Sequence, residues 1–156
     1  MKIRLLAVGQ KMPQWVQQTF NDYNNRLSKS QMIELVEIAP IHRSKTTNTH
    51  KAKQEEGECI ISALKPQEKL ILLDEFGKAI STKYLAKSIT SWQMDRFDIA
   101  IVIGGADGVS EEVRQKSYQK WSLSLLTFPH PLVRVIIIEQ IYRAYSVIAN
   151  HPYHRE

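Results

Sequence analysis

Apolar positions along the chain follow two rhythms. Lys2 to Val8, Met32 to Ile38, Lys69 to Glu75 and Phe97 to Gly105 are short, dense apolar runs of strand length. The last is nearly continuous, the pattern of a strand covered on both faces. Between them, Gln14 to Leu27 carries Trp15, Phe20, Tyr23 and Leu27 at roughly helical spacing. His50 to Leu64 predicts a second helix ended by Pro66, and Ser81 to Met94 a third with Ser81 as N-cap. Ser110 can cap a short fourth helix, with Glu111 and Glu112 where the helix dipole favours acids. Trp121 to Phe128 predicts a fifth strand, stopped by Pro129 and Pro131. A final helix runs from Pro131 to Asn150, the proline fitting its first turn. Such alternation predicts one α/β domain over residues 1–156, a mainly parallel sheet with helices on both faces and ligands at the carboxyl ends of the strands.

With 43% apolar residues the chain can bury a real core. No apolar run is long enough to span a bilayer and the start lacks a secretory apolar segment, so a cytoplasmic protein without membrane association is expected. The single cysteine, Cys59, reads as a small buried apolar residue. Lys and Arg exceed Asp and Glu by 21 to 16, a net charge of +5 that favours an anionic partner. Arg43, Lys45, Lys51 and Lys53 gather beside two histidines as an RNA phosphate surface or a solvated basic loop.

Strand, glycines and helix cap meet in IVIGGADGVS, Ile101 to Ser110. A dinucleotide loop would need G-x-G-x-x-G after the first strand. Here Gly104, Gly105 and Gly108 follow the fourth, and Asp107 would meet phosphates with like charge. A backbone approach to a neutral or cationic ligand, or simply a tight turn, remains. In the final helix Glu139, Gln140 and Arg143 share one narrow polar stripe. Arg134 falls opposite, near Ile138, Ile141 and Tyr145, where a guanidinium needs a carboxylate, a phosphate or a subunit partner. So apolar a helix is most easily covered by dimerisation. The tail HPYHRE offers imidazole, phenol and guanidinium groups. Pro152 between His151 and His154, with no clear third ligand, speaks against a metal site. From the residues alone the reading is an α/β enzyme associated with RNA.

Four separated motifs, LLDEFGK, IVIGGADG, SLSLLTFPHPLVRVIIIEQIYRA and NHPYHRE, resemble the SPOUT-class ribosomal RNA large subunit methyltransferase H family, with similarity from AVGQKMPQWV to the last residue. The resemblance implies a deep trefoil knot near the carboxyl terminus and a homodimer acting in assembled ribosomes. There it would use S-adenosylmethionine, without a metal, to methylate N3 of pseudouridine 1915 in 23S rRNA. It also implies that Leu73, Gly104 and the segment Leu123, Ser124, Leu125, Leu126, Thr127 and Phe128 hold the methyl donor. Where the family carries Pro and Glu, this chain has Ala106 and Asp107, which loosens the expected loop but keeps the acid. For the chemistry, His154 is the candidate for removing the N3 proton, with Arg143, Tyr153 and Arg155 positioning the nucleotide. A noncatalytic ribosome-binding factor would share the basic surface without needing the donor loops, and an oxidoreductase would need the glycines to bind pyrophosphate.

Overall fold

The computed structural model describes residues 1–46 and 48–155. Thr47 and Glu156, the latter ending the tail motif, lie outside it. Five strands form one sheet: β1 (Ile3–Val8), β2 (Glu34–Ile38), β3 (Glu68–Ala79), β4 (Asp98–Ile103) and β5 (Gln119–Ser122). Their order is β2-β1-β4-β3-β5, and every pairing is parallel. The helices are α1 (Gln14–Arg26), α2 (Thr49–Ala63), α3 (Thr82–Asp95), α4 (Glu111–Lys116) and α5 (His130–Ile148), followed by a single 3-10 turn at Pro152–His154.

Strand alternation divides the core in two. Ile3, Leu5, Ala7, Ile71, Ile99, Ile101 and Ile103 face α1, α3 and α5, whereas Leu6, Val8, Leu70, Leu72, Ala100 and Val102 face α2 and α4. Each of the valines, leucines and isoleucines among them stabilises the fold by about 1.5–3 kcal/mol when fully buried. Both faces are therefore needed, as the continuous β4 pattern predicted. The expected caps form: the Ser81 hydroxyl accepts from the Tyr84 N–H at 3.1 Å and that of Ser110 from Val113 at 3.4 Å.

Three expectations change. The fifth strand is Gln119–Ser122, starting two residues before the expected stretch and ending six before its end, because Trp121 is the last large anchor. It is fully buried, stacked on Trp92 at 5.6 Å, and its indole donates to Gln119. After Ser122 the chain leaves the sheet, and residues 123–129 form a loop. The third strand instead runs on to Ala79, through an irregularity in which both Leu73 and Lys78 pair with Trp121. Cys59 is exposed rather than buried, since the inner face of α2 is taken by Ala52, Glu56, Gly57 and Ile60.

Candidate active site

Register brings three separate segments side by side. Leu73 pairs with Ile103 on one side and with Trp121 on the other, so the carboxyl ends of β3, β4 and β5 lie in a row. Over them opens a cleft of about 640 Å³, lined by residues 72–76, 103–109, 121–124 and 126–130 together with Arg114 and Val133. That volume suits a cofactor-sized organic ligand. Leu73, Gly104, Leu123, Ser124, Leu126, Thr127 and Phe128 all line it. Leu125 does not: its side chain is fully exposed, turned away from the cleft.

Each wall has its own construction. The β3 irregularity pushes Asp74, Glu75 and Phe76 into the cleft and leaves Phe76 85% exposed at its rim. The glycine wall is a tight turn, with the Gly108 N–H donating to the Gly105 carbonyl at 3.1 Å and Gly108 at φ +81°, a conformation that favours glycine. At Gly104 a Cβ would lie 2.7 Å from Val109 and 3.1 Å from the Gly108 backbone. The missing side chain thus lets the turn close on itself, while the Gly104 backbone faces the cleft. The third wall is stitched internally: Ser122 donates to the Ser124 carbonyl, and the Leu126 N–H donates to the Ser124 hydroxyl. Thr127 reaches across to Glu75 at 3.3 Å, joining two walls.

Charge inside the cleft is mostly acidic and mostly committed. Asp74 is paired with Arg114. Asp107 accepts from Arg43, which also holds the buried Glu56 at 2.7 Å and its own loop carbonyl at Ile41. Glu56, then Asp107, raise the Arg43 pKa above the usual arginine range. Arg43 is therefore a clamp on the glycine turn and not a phosphate-facing surface cation, because two carboxylates already neutralise it. It also supplies from outside the rigidity that Ala106 does not.

Arg134 is buried, and each of its three guanidinium nitrogens has a partner: Glu37 at 2.7 Å, the Gly9 carbonyl at 2.8 Å and His130 Nε2 at 2.9 Å. The expected carboxylate partner is Glu37. His130 lines the cleft and contacts the Gly104 carbonyl through Nδ1 at 3.1 Å. Burial lowers its pKa, the Gly104 bond opposes this, and the neighbouring Arg134 charge lowers it further.

The tail lies elsewhere. The Tyr153 hydroxyl meets Glu139 at 3.1 Å and Tyr23 at 3.3 Å, its ring packs edge-on against Tyr142, and Arg143 sits over it while pairing with Glu139. Burial, then the Tyr23 and Glu139 contacts, push the Tyr153 pKa well up. Glu139 is nine residues beyond His130, about 14 Å along the helix. Within one chain the structure therefore gathers Tyr153 and Arg143 around the middle of α5, away from the cleft at its start. His154 is half-buried with its Nδ1 lacking a hydrogen-bond partner among the described residues, Arg155 is exposed, and the His151 ring accepts from the Tyr153 N–H. Among the described residues no three His, Cys, Asp or Glu side chains are grouped to hold a metal ion.

Asp74, Phe76, Arg114 and His130 were not singled out in the sequence as cleft residues. The available signals were a polar DEF immediately after a strand and a histidine between two prolines at a helix start.

A parallel α/β sheet with a ligand-sized cleft of irregular loops at its strand ends is the architecture in which α/β enzymes bind small molecules. Residues 1–154 match the family described as predicted SPOUT methyltransferase, and the chain belongs to that family. It is similar, end to end, to the ribosomal RNA large subunit methyltransferase H of Hahella chejuensis, at 44% identity over 156 residues covering all of both chains. The Saccharophagus degradans protein of that name is 46% identical across 99% of this chain and all of its own, and that of Teredinibacter turnerae 48% identical across 99% and 100%.

Proposed function

We propose that this methyltransferase uses S-adenosylmethionine to methylate N3 of pseudouridine 1915 in the 23S rRNA of assembled ribosomes, in the cytoplasm and as a homodimer. The observation that carries this reading is the cleft: three strand ends aligned by register, with Leu73, Gly104 and residues 123–128 at its walls, in a chain that matches the methyltransferase relatives over its whole length. The lining fits the donor. Leu73, Leu126 and Phe128 offer apolar surface to an adenine, loop backbone offers hydrogen bonds to its edge, and Glu75, a cleft carboxylate that Asp74 and Asp107 do not match because arginines already hold them, favours a sulfonium cation over a phosphate.

The donor supplies an activated methyl group and leaves as a neutral thioether. A bond forms from N3 to carbon as the carbon–sulfur bond breaks, and the N3 proton passes to a base. The protein's part is alignment and proton removal. His154 is the proposed base. Arg155 contacts the nucleotide, while Tyr153 and Arg143 act on it through the tail they hold. Because each tail sits far from its own cleft, the tail of one subunit serves the cleft of the other. The half-exposed apolar face of α5, with Leu132, Val133, Val135 and Ile136, supplies the dimer contact.

The chain is further proposed to be knotted. After edge strand β5 it returns past the β3 irregularity to the end of β4, where His130 meets Gly104, and α5 then packs against both α1 and α3. That return is the segment expected to thread.

The test is to incubate purified protein and labelled donor with ribosomes and, separately, with free large subunits, then map rRNA methylation by mass. Label at the expected pseudouridine of ribosomes supports the reading. A protein that binds ribosomes but no donor would be a noncatalytic factor.

A further inference from the structure

We infer that His130 is a positioning residue that sets the spacing between the glycine wall and the 123–129 wall of the cleft, held in one tautomer by the buried Arg134. The inference rests on the donor-binding reading of that cleft.

Hydrogen-bond roles at His130 are forced by its partners. The Arg134 Nε–H can only donate, so His130 Nε2 accepts at 2.9 Å. The Gly104 carbonyl can only accept, so Nδ1 carries the proton and donates at 3.1 Å. The ring is therefore neutral, and both nitrogens are occupied. Although it lines the cleft, it has no lone pair with which to take a substrate proton.

What the ring does is mechanical. It is the first residue of α5, directly after Phe128 and Pro129, and its donated bond fixes the peptide plane joining Gly104 to Gly105. One side chain thus ties the end of the 123–129 loop to the end of β4. Arg134 extends the tie to Gly9, after β1, and to Glu37 in β2. The charged groups facing the ring are Arg134 and Glu37, and they neutralise each other at 2.7 Å. The carboxyl ends of three strands and the start of α5 are thereby held by one polar chain that makes no other demand on the ligand.

The experiment compares wild type with His130→Asn, His130→Gln and His130→Ala by donor calorimetry, steady-state kinetics on ribosomes, and the amide signal of Gly105 without donor. The Asn amide nitrogen overlays Nδ1 and keeps the bond to Gly104, whereas Gln presents its amide at the Nε2 position. The Asn variant is expected within about threefold of wild-type donor affinity, and Gln and Ala at least about tenfold weaker, through KM for the donor with kcat largely kept. Gly105 should shift in Gln and Ala but not in Asn. Wild-type affinity in the Ala variant, or equal losses in Asn and Gln with folded proteins, overturns the inference. If wild type itself binds no donor, the functional reading fails, and the Gly105 signal still decides whether His130 positions the turn.

Discussion

Two regions along α5 use opposite materials. At its start the cleft is built from backbone, glycine and loop, stitched by single hydrogen bonds and the Arg43 and Arg134 clamps. Around its middle the tail is held by a dense packing of Tyr23, Tyr142, Tyr153, Arg26 and Arg143 around Glu139. The first region is an open cleft, while the second is closed by ring and ion-pair contacts. About 14 Å of helix, from His130 to Glu139, separates the cleft from the residues that hold the tail.

The sharpest way to break the comparison is to collapse one region only. Trp121→Ala removes the anchor of β5 and should cost about 3–5 kcal/mol, lowering Tm by roughly 10 °C and abolishing donor binding. Calorimetry and thermal melts check both. Next, Leu126→Glu at the cleft and Leu125→Glu just outside it should separate: donor affinity falls about tenfold or more for the first and stays unchanged for the second, with equal Tm. Equal losses would mean that the cleft wall is wrongly drawn.

In the other region, Tyr153→Phe deletes the hydroxyl bonds to Glu139 and Tyr23. A cost of about 1 kcal/mol is expected, with donor affinity intact and ribosome methylation reduced. Loss of donor affinity in this variant would show the two regions to be coupled within one chain.

A smaller effect comes from pH. His130 has a lowered pKa in the fold, so the unfolded chain binds its proton first as pH falls below about 6.5. The stability it contributes is complete above that value and is lost as pH drops toward the folded pKa. The Tm advantage of wild type over His130→Asn should therefore narrow between about pH 7.5 and 5. Smallest of all, Cys59→Ser should leave Tm unchanged, and native Cys59 should react readily with a thiol reagent, because it is exposed.

Much of the sheet was legible because parallel strands buried on both faces write themselves as dense apolar runs, as Ile99 to Ile103 do. Caps were legible too, since Ser81 and Ser110 sit directly before their helices. The end of β5 was not, because Leu123, Leu125 and Leu126 continue the apolar pattern while lying in a loop; composition does not distinguish leucines meant for a core from leucines meant for a cleft. Register was equally hidden: nothing local announces that Leu73 stands between Ile103 and Trp121. The clamps were half-visible. Arg134 plainly needed a partner, but Glu37, 97 positions earlier, could be found only in three dimensions. Likewise Asp107 spoke against phosphate, yet its bond to Arg43 could not be read from the chain.

The bond from Arg134 to the Gly9 carbonyl spans 125 positions, and that from Tyr153 to Tyr23 spans 130. Such pairing of first and last segments gives a high contact order and a slow, late step in folding. During synthesis the end of β1 can pair early with β2, through the Gly9 N–H bond to the Ile38 carbonyl, but its tie to Arg134 waits for almost the entire chain. The cleft is therefore closed on the α5 side only when translation is nearly over, and truncation before α5 would leave most of its walls without the His130 and Arg134 ties.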